Sequence, residues 1–529
     1  MRLLRLRTLH LVTAGLLAAA ASPALHAAAT LAPLFTNGAV LQRDKPLPVW
    51  GTGTPGEKIS VTFAGQTLAT TTSPEGRWRV TLAPLPASTA PRELTVTATN
   101  TLTVRDILVG EVWIASGQSN MEWPLAYATD AKTEINAANF PQFRQFKVER
   151  QPSYDPLATA EGSWQPATPA TAGQFTAVGY FFGRSLHREL NVPVGLINSS
   201  WGGTGAGAWI SPEAYKADPN LAKIYAGQEK TPRPTADALA AYAADLAAWK
   251  KARDEAASAK QAWKTPAPKI PAGFANPRTP AGLYNGMIHP LAPYALRGAI
   301  WYQGESNAGH ASQYNALLTA LITGWRAQFN QGDFPFYWVQ LPNLDVGGLN
   351  ATNWSWAELR EAQTKTLAQP NTAQAITLDV GEVKGLHPKN KKPVGERLAL
   401  LALARTYGEK NLIDSGPVFK SALRESSAYR ITYQPSSSPL QAAPAGLTAF
   451  ELAGEDKVFH PAEARIDGAT VVVSSAAVPA PVAVRYAYRN APVAGLFNAA
   501  GLPAAPFRTD TWPAPPTPKA APLPQPPES

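Results

Sequence analysis

From Arg105 to Tyr407, short apolar runs alternate with helix-patterned stretches, and this alternation narrows the fold more than anything else in the sequence. The apolar runs are EVWIAS, VPVGLINSS, LRGAIWYQ, FPFYWVQLPN and TAQAITLDV. Around them stand FTAVGYFFGRSLHREL, SQYNALLTALITGWRAQF, WAELREAQTKTLA and VGERLALLALARTYG. Near-continuous apolar strands connected by amphipathic helices build a mostly parallel sheet whose two faces are both covered. The predicted class is α/β: a three-layer α/β/α domain over residues 106–410.

The flanks follow a different pattern. KISVTF and RWRVTL alternate apolar and polar residues between Gly, Pro and Asn turns, which predicts an antiparallel β-sandwich over 30–105. β-type runs return in AYRITYQ, ATVVVSS and VAVRYAYR, giving a C-terminal β-rich region over 411–512 and a Pro-rich, disordered tail over 513–529. A helical insertion interrupts the middle domain at about 213–282. Within it the Ala-rich stretch from Pro234 to Lys264 carries Leu239, Tyr242, Leu246 and Trp249 at helical spacing, a stripe expected to pack against the domain. The opening residues combine Arg2, Arg5 and Arg7 with an apolar run from Leu11 to Ala21 and small residues near Ala27, which reads as a signal peptide over 1–29. The expected location is therefore the bacterial periplasm or the medium, with no membrane attachment once that peptide is removed.

Several chemistries are excluded early. The chain has no cysteine, which removes disulfides, thiolate nucleophiles and zinc ribbons. No HExxH or HxH pair is present, which argues against a metal hydrolase. The formal charge of +9 falls to +6 without the three leader arginines, too small and scattered an excess for a nucleic-acid partner.

Four polar loops emerge from the middle domain. The first, Gly117-Gln118-Ser119-Asn120, puts a serine directly after a buried strand, where α/β folds hold their sites. The second, Trp201-Gly202-Gly203-Thr204, has glycines that let backbone N–H groups approach a ligand. The third, Gln303-Gly304-Glu305-Ser306-Asn307, offers an amide donor in Asn307 and a carboxylate in Glu305 able to orient a histidine. The fourth carries His387 between an apolar strand and a helix. His289 is its closest rival as a general base, and His187 reads as a surface residue on a helix. Each loop alone is equally readable as a turn or a helix cap.

Taken in order, the blocks GQSN, WGGT, QGESN and LHPKNK resemble those of the SGNH-hydrolase superfamily. With LQRDKPLPVWG, GLYNGMIHPL and FRTD, the wording is similar to the sialate O-acetylesterase group within it, over roughly 31–513. The resemblance implies an SGNH-type domain and a serine esterase that removes acetyl groups from sugar hydroxyls. It makes Ser119 the nucleophile and His387 the general base, with an oxyanion hole of the Ser119 and Gly203 N–H groups and the Asn307 side chain. No metal or organic cofactor is required, since protein groups supply every role. The family commonly has Asp two residues before the histidine, and here Gly385 stands there. Glu305 is then the expected acid on His387, as in relatives that use this glutamate, with Glu382 and Asp379 as alternatives.

The expected substrate is an acetylated saccharide bound by Gln118, Trp123, Trp201, Tyr302 and Gln303. The blocks contain no arginine to meet a sialate carboxylate, and only Lys384, Lys389, Lys391 and Lys392 lie near His387, which favours neutral plant polysaccharides over O-acetyl sialic acid. A catalytically weak or inactive glycan-binding homologue of the same fold is the alternative, motivated by the missing Asp. A glycosidase would need two flanking carboxylates, and the blocks offer Glu305 with only the displaced Glu382.

Overall fold

The computed structural model describes residues 28–259, 261–271, 273–345, 354–434 and 439–513. Nearly all of the expected signal peptide and Pro-rich tail lies outside these residues.

The centre of the molecule is a seven-stranded path through a larger mixed sheet. Its spatial order is Gly162–Ala167, Phe140–Val148, Val194–Ser200, Thr101–Gly117, Gly298–Tyr302, Phe336–Val339 and Thr372–Ala375. Six strands run parallel, and the edge strand Gly162–Ala167 is antiparallel to its neighbour. Val194–Ser200, Gly298–Tyr302 and Phe336–Val339 are buried at every residue, as expected of strands covered on both faces. The helices Ala177–Leu190 and Lys392–Arg405 pack on each other, as do Ala311–Phe329 and Ser355–Lys365.

The N-terminal β region is not separated from this sheet by a linker. Thr101–Gly117 is one strand of 17 residues, so the expected boundary at 105 falls inside it. Its first residues are largely exposed and pair with Ser88–Thr97, whereas Ile107 to Gly117 are buried without exception. Asp106, with φ +59°, marks where this one strand passes from the half-exposed edge to the buried sheet centre. Leu47–Thr52 and Arg77–Leu82 pair in a separate three-stranded sheet with Thr30–Leu31.

After Tyr407 the chain forms two four-stranded antiparallel sheets and a two-stranded ribbon. Their core includes Ile431, Phe450, Leu452, Val471 and Tyr486, and it also takes in Ile376 and Leu378. The run TAQAITLDV is therefore strand only over Thr372–Ala375; its later apolar residues leave the sheet to fill the C-terminal core. Fully buried Arg360 reinforces the junction by donating to the carbonyls of Pro342 and Asn490.

The insertion forms the helix Ala236–Ser258, but its stripe does not pack on the main domain as expected. Tyr242 meets Phe274 edge-on, and Trp249 meets Trp263 and donates to the Thr265 carbonyl. Tyr242 and Trp249 thus pack on the returning chain, and Leu239 is exposed. A 23-residue helix this rich in alanine offers too little apolar surface on one side to bury against a large core. No described helix is long and apolar enough to cross a membrane.

Candidate active site

Sheet register assembles three of the four loops. Gly117 is paired with Ser200 on one side and Tyr302 on the other, so the three strands end in one row. The chain proceeds from the Thr101–Gly117 strand to one side, returns beside it as Val194–Ser200, and then crosses to the other side as Gly298–Tyr302. The carboxyl end of the middle strand is thus a topological switch point, where α/β sheets open a crevice. Gly117 adopts φ +139°, and a Cβ there would fall 2.1 Å from the Tyr302 carbonyl oxygen, so only glycine fits this tight exit. The short helix Ser119–Glu122 starts directly after it, with Ser119 half-buried between buried Gln118 and Asn120.

The fourth loop reaches the same place. His387 Nε2 lies 2.8 Å from Ser119 Oγ, the distance of a hydrogen bond in which the hydroxyl donates to the imidazole. The Trp123 ring stacks on His387 at 5.2 Å and 26°. Burial, and secondarily the Lys391 charge, lowers the His387 pKa below its ordinary 6.5, which keeps the imidazole neutral and able to accept a proton.

Gly202 also stands beside Ser119: a Cβ on it would lie 3.3 Å from Ser119 Cβ. Gly203 is exposed with φ +72° and open space around it, and neither its N–H nor that of Ser119 donates a hydrogen bond among the described residues. Asn307 Oδ1 accepts from the Ala206 N–H at 2.9 Å and from Gln303 Nε2 at 2.7 Å, which orients the amide and leaves Nδ2 as the group available to a ligand.

Other expected site residues have different surroundings. Glu305 is buried, and its Oε1 accepts from Asn120 Nδ2; among the described residues it makes no hydrogen bond to His387, and Oε2 has no partner. The expectation that Glu305 holds the imidazole directly is corrected: Asn120, next to the serine, stands at the carboxylate instead. Asp379 is committed to Arg397 at 2.6 Å. Glu382 accepts from the Lys389 N–H at 2.6 Å, and its Oε2 lies 2.8 Å from where a Cβ on Gly385 would be. Its carboxylate therefore fills the space beside the glycine that replaces the family Asp. His289 accompanies the Leu157 carbonyl at 3.1 Å, and His187 that of Val192 at 2.7 Å.

Tyr302 is 1% exposed, Gln118 2% and Gln303 0%, so none of the three can meet a sugar as expected. The glutamines brace the loops, since Gln118 Oε1 accepts from Gln303 Nε2 and the Ser306 N–H. Tyr302 is a core residue at a strand end, because a strand covered on both faces buries side chains on either side. Trp123 and Trp201 remain half-buried at the site.

One group was missed, and a second stood out in the sequence only as a lysine near His387. Arg150 lies over the Trp201 ring at 5.3 Å and pairs with Glu122, whose other oxygen accepts from the Gly202 N–H. It sits two residues beyond Phe140–Val148, the strand beside Val194–Ser200, so strand order was the signal that could have found it. Lys391, near His387 in sequence, is buried and donates to Asn120 Oδ1.

A family model described as carbohydrate esterase, sialic acid-specific acetylesterase matches residues 256–403, which include the Glu305 and His387 blocks. Sialate O-acetylesterase of Rattus norvegicus is 32% identical over 429 residues, covering 74% of this chain and 76% of the relative. The Homo sapiens sialate O-acetylesterase is 30% identical over 425 residues, 73% of each chain. The crystal structure of a carbohydrate acetylesterase from Xanthomonas citri superposes with a TM-score of 0.78 at 41% identity, covering 92% of this chain and all of that one. With a serine hydroxyl on a histidine nitrogen at the switch point of the sheet, this chain belongs to the sialate O-acetylesterase family of carboxylic ester hydrolases.

Proposed function

We propose that the chain is an exported serine esterase that removes O-acetyl groups from neutral saccharides, built on an SGNH-type three-layer domain over 106–410 between the two β-rich flanks. The observation that carries the mechanism is the 2.8 Å contact between Ser119 Oγ and His387 Nε2. Ser119 Oγ attacks the acetyl carbonyl while His387 takes its proton. The Ser119 and Gly203 N–H groups and Asn307 Nδ2 receive the negative charge that develops on the carbonyl oxygen. Collapse expels the sugar hydroxyl, protonated by His387, and leaves acetyl-Ser119. Water, activated by the same imidazole, then releases acetate. Every role is taken by a protein group, so no cofactor enters the mechanism.

The preference for a neutral sugar is supported by the state of Arg150. A sialate carboxylate needs a cation free to form a bidentate pair. Arg150 already faces Glu122 at 3.0 Å, with its guanidinium against Trp201. Trp123 and Trp201 offer indole surface to the apolar face of a sugar ring. Acetate release from acetylated xylan or xyloglucan oligosaccharides, beside 9-O-acetyl sialic acid at matched concentration, tests the choice. Faster release from the oligosaccharides is expected, and a strong preference for the sialate would overturn it. Release from neither, with no hydrolysis of an aryl acetate, would favour the glycan-binding alternative. Export is tested by looking for the processed chain in periplasmic and medium fractions.

A further inference from the structure

Behind the Ser119–His387 pair lies a buried charged network. Lys391 is 1% exposed and Asn120 and Glu305 are 0% and 3% exposed. Burying an ammonium and a carboxylate is costly unless each finds a partner. Here one amide serves both: Lys391 Nζ donates to Asn120 Oδ1, while Asn120 Nδ2 donates to Glu305 Oε1 at 2.5 Å and to the Leu386 carbonyl at 3.0 Å. The oxygen of an amide only accepts and its nitrogen only donates. A cation at one end and a carboxylate at the other therefore fix which way the Asn120 amide faces. Turned over, it would set donor against donor and acceptor against acceptor.

This orientation has a consequence for the site. Asn120 follows Ser119 in the chain, and Leu386 precedes His387. The second hydrogen of the amide thus ties the serine's helix to the histidine's loop. A second route runs through Trp123, whose ring stacks on His387 and has the Lys391 ammonium 5.9 Å from its centroid. The ammonium also lies 5.2 Å from the Tyr302 ring centroid. We infer that Lys391 and Glu305, acting through Asn120, are positioning residues that set His387 against Ser119, the task that an acid on the imidazole performs in a Ser-His-Asp triad. The inference rests on the esterase reading of Ser119 and His387.

The electrostatics agree. The charged groups acting on Lys391 are Glu305 and Glu382, which raise its pKa against a larger lowering by burial, to about 7. Glu305 is pushed up by burial, against the pull of Asn120 and Lys391. On His387 the charge that acts is Lys391, which adds to burial in lowering its pKa. Removing the Lys391 charge should therefore raise the His387 pKa and move the acid limb of the pH–rate profile upward.

The test compares the full chain with Lys391→Met, Glu305→Gln and the double variant, measuring kcat, KM and the pH profile of kcat/KM on an aryl acetate. Lys391→Met should lower kcat by about tenfold or more with KM within about twofold, and shift the acid limb to higher pH. The double variant should lose less than the product of the two single losses, because it leaves no lone buried charge. If Lys391→Met does not fold, the neutral double variant carries the pH comparison against Glu305→Gln. An unmoved acid limb, or single losses that simply multiply, would overturn the network. A wild-type chain inactive on aryl acetate would instead overturn the esterase reading on which the inference rests.

Discussion

Ser119 and His387 meet at 2.8 Å, yet the two halves of this pair are held by different means. Ser119 stands two residues beyond a strand whose last eleven residues are buried and whose final residue, Gly117, is held in register with Ser200 on one side and Tyr302 on the other. His387 follows a segment in which Glu382, Val383 and Lys384 are exposed and no strand ladder continues. Its loop is tied by two backbone bonds, from the Thr129 N–H to the Lys389 carbonyl and from the Asp345 N–H to the Val383 carbonyl, and by side chains: the Asn120 amide on the Leu386 carbonyl, the Trp123 ring, and Glu382 bonded to the Lys389 N–H. The backbone sets the proposed nucleophile, whereas a handful of contacts sets the base. Substitutions on the base side should therefore reduce activity with little effect on the fold.

The sharpest test lies on the serine side. Ser119→Ala should lower kcat by roughly 10⁴-fold or more while leaving the melting temperature unchanged, because the hydroxyl is chemistry and the strand end is architecture. Hydrolysis of an aryl acetate alongside a thermal melt checks both halves; ordinary turnover would remove Ser119 from the mechanism. Next in size, Asn307→Ala should cost about 10²–10³ in kcat through loss of an oxyanion donor. If it raised KM alone, Asn307 would be a ground-state contact.

Base-side effects should be smaller and should leave stability nearly unchanged. Trp123→Ala removes the ring stacked on His387, an aromatic contact worth about 0.5–1.5 kcal/mol, so kcat should fall by up to about tenfold and recover in Trp123→Phe. A matching fall in melting temperature would mean that the indole supports the fold more than the base. The pH profile gives a subtler reading. The proposed mechanism needs neutral imidazole, and burial and Lys391 lower the His387 pKa, so the acid limb of kcat/KM should fall below 6.5. A limb at or above 6.5 would show that burial and Lys391 do not act on the base as described. The smallest effect belongs to Glu382→Gln, which keeps an acceptor for the Lys389 N–H and should change kcat by no more than about threefold. A loss of orders of magnitude would make Glu382 the acid of the site.

Much of this was legible from the chain alone. Buried parallel strands appear as continuous apolar runs, so EVWIAS, VPVGLINSS and LRGAIWYQ marked the sheet centre, and the polar blocks that follow them marked where side chains would converge. The pairing of Ser119 with His387, 268 residues apart, followed from matching those blocks to a family. The same burial hid other features. In a strand covered on both faces, periodicity does not separate core from site, so Tyr302 is readable as either and proves to be core. ITLDV looked like strand, and its Ile376 and Leu378 instead fill the C-terminal core.

The order of the elements and the chemistry at their ends can be read along the chain, because local patterning reports whether neighbouring positions are buried and where the chain must turn. Which partner each buried polar group takes is set by packing in three dimensions. Glu305 has Asn120 at hydrogen-bonding distance, Arg150 has Glu122 and Trp201, and Lys391 has the other end of the Asn120 amide. A hydrogen bond is made or lost within a few tenths of an ångström, and which group arrives within that distance depends on how strands, helix and loop pack together, not on the spacing of residues along the chain.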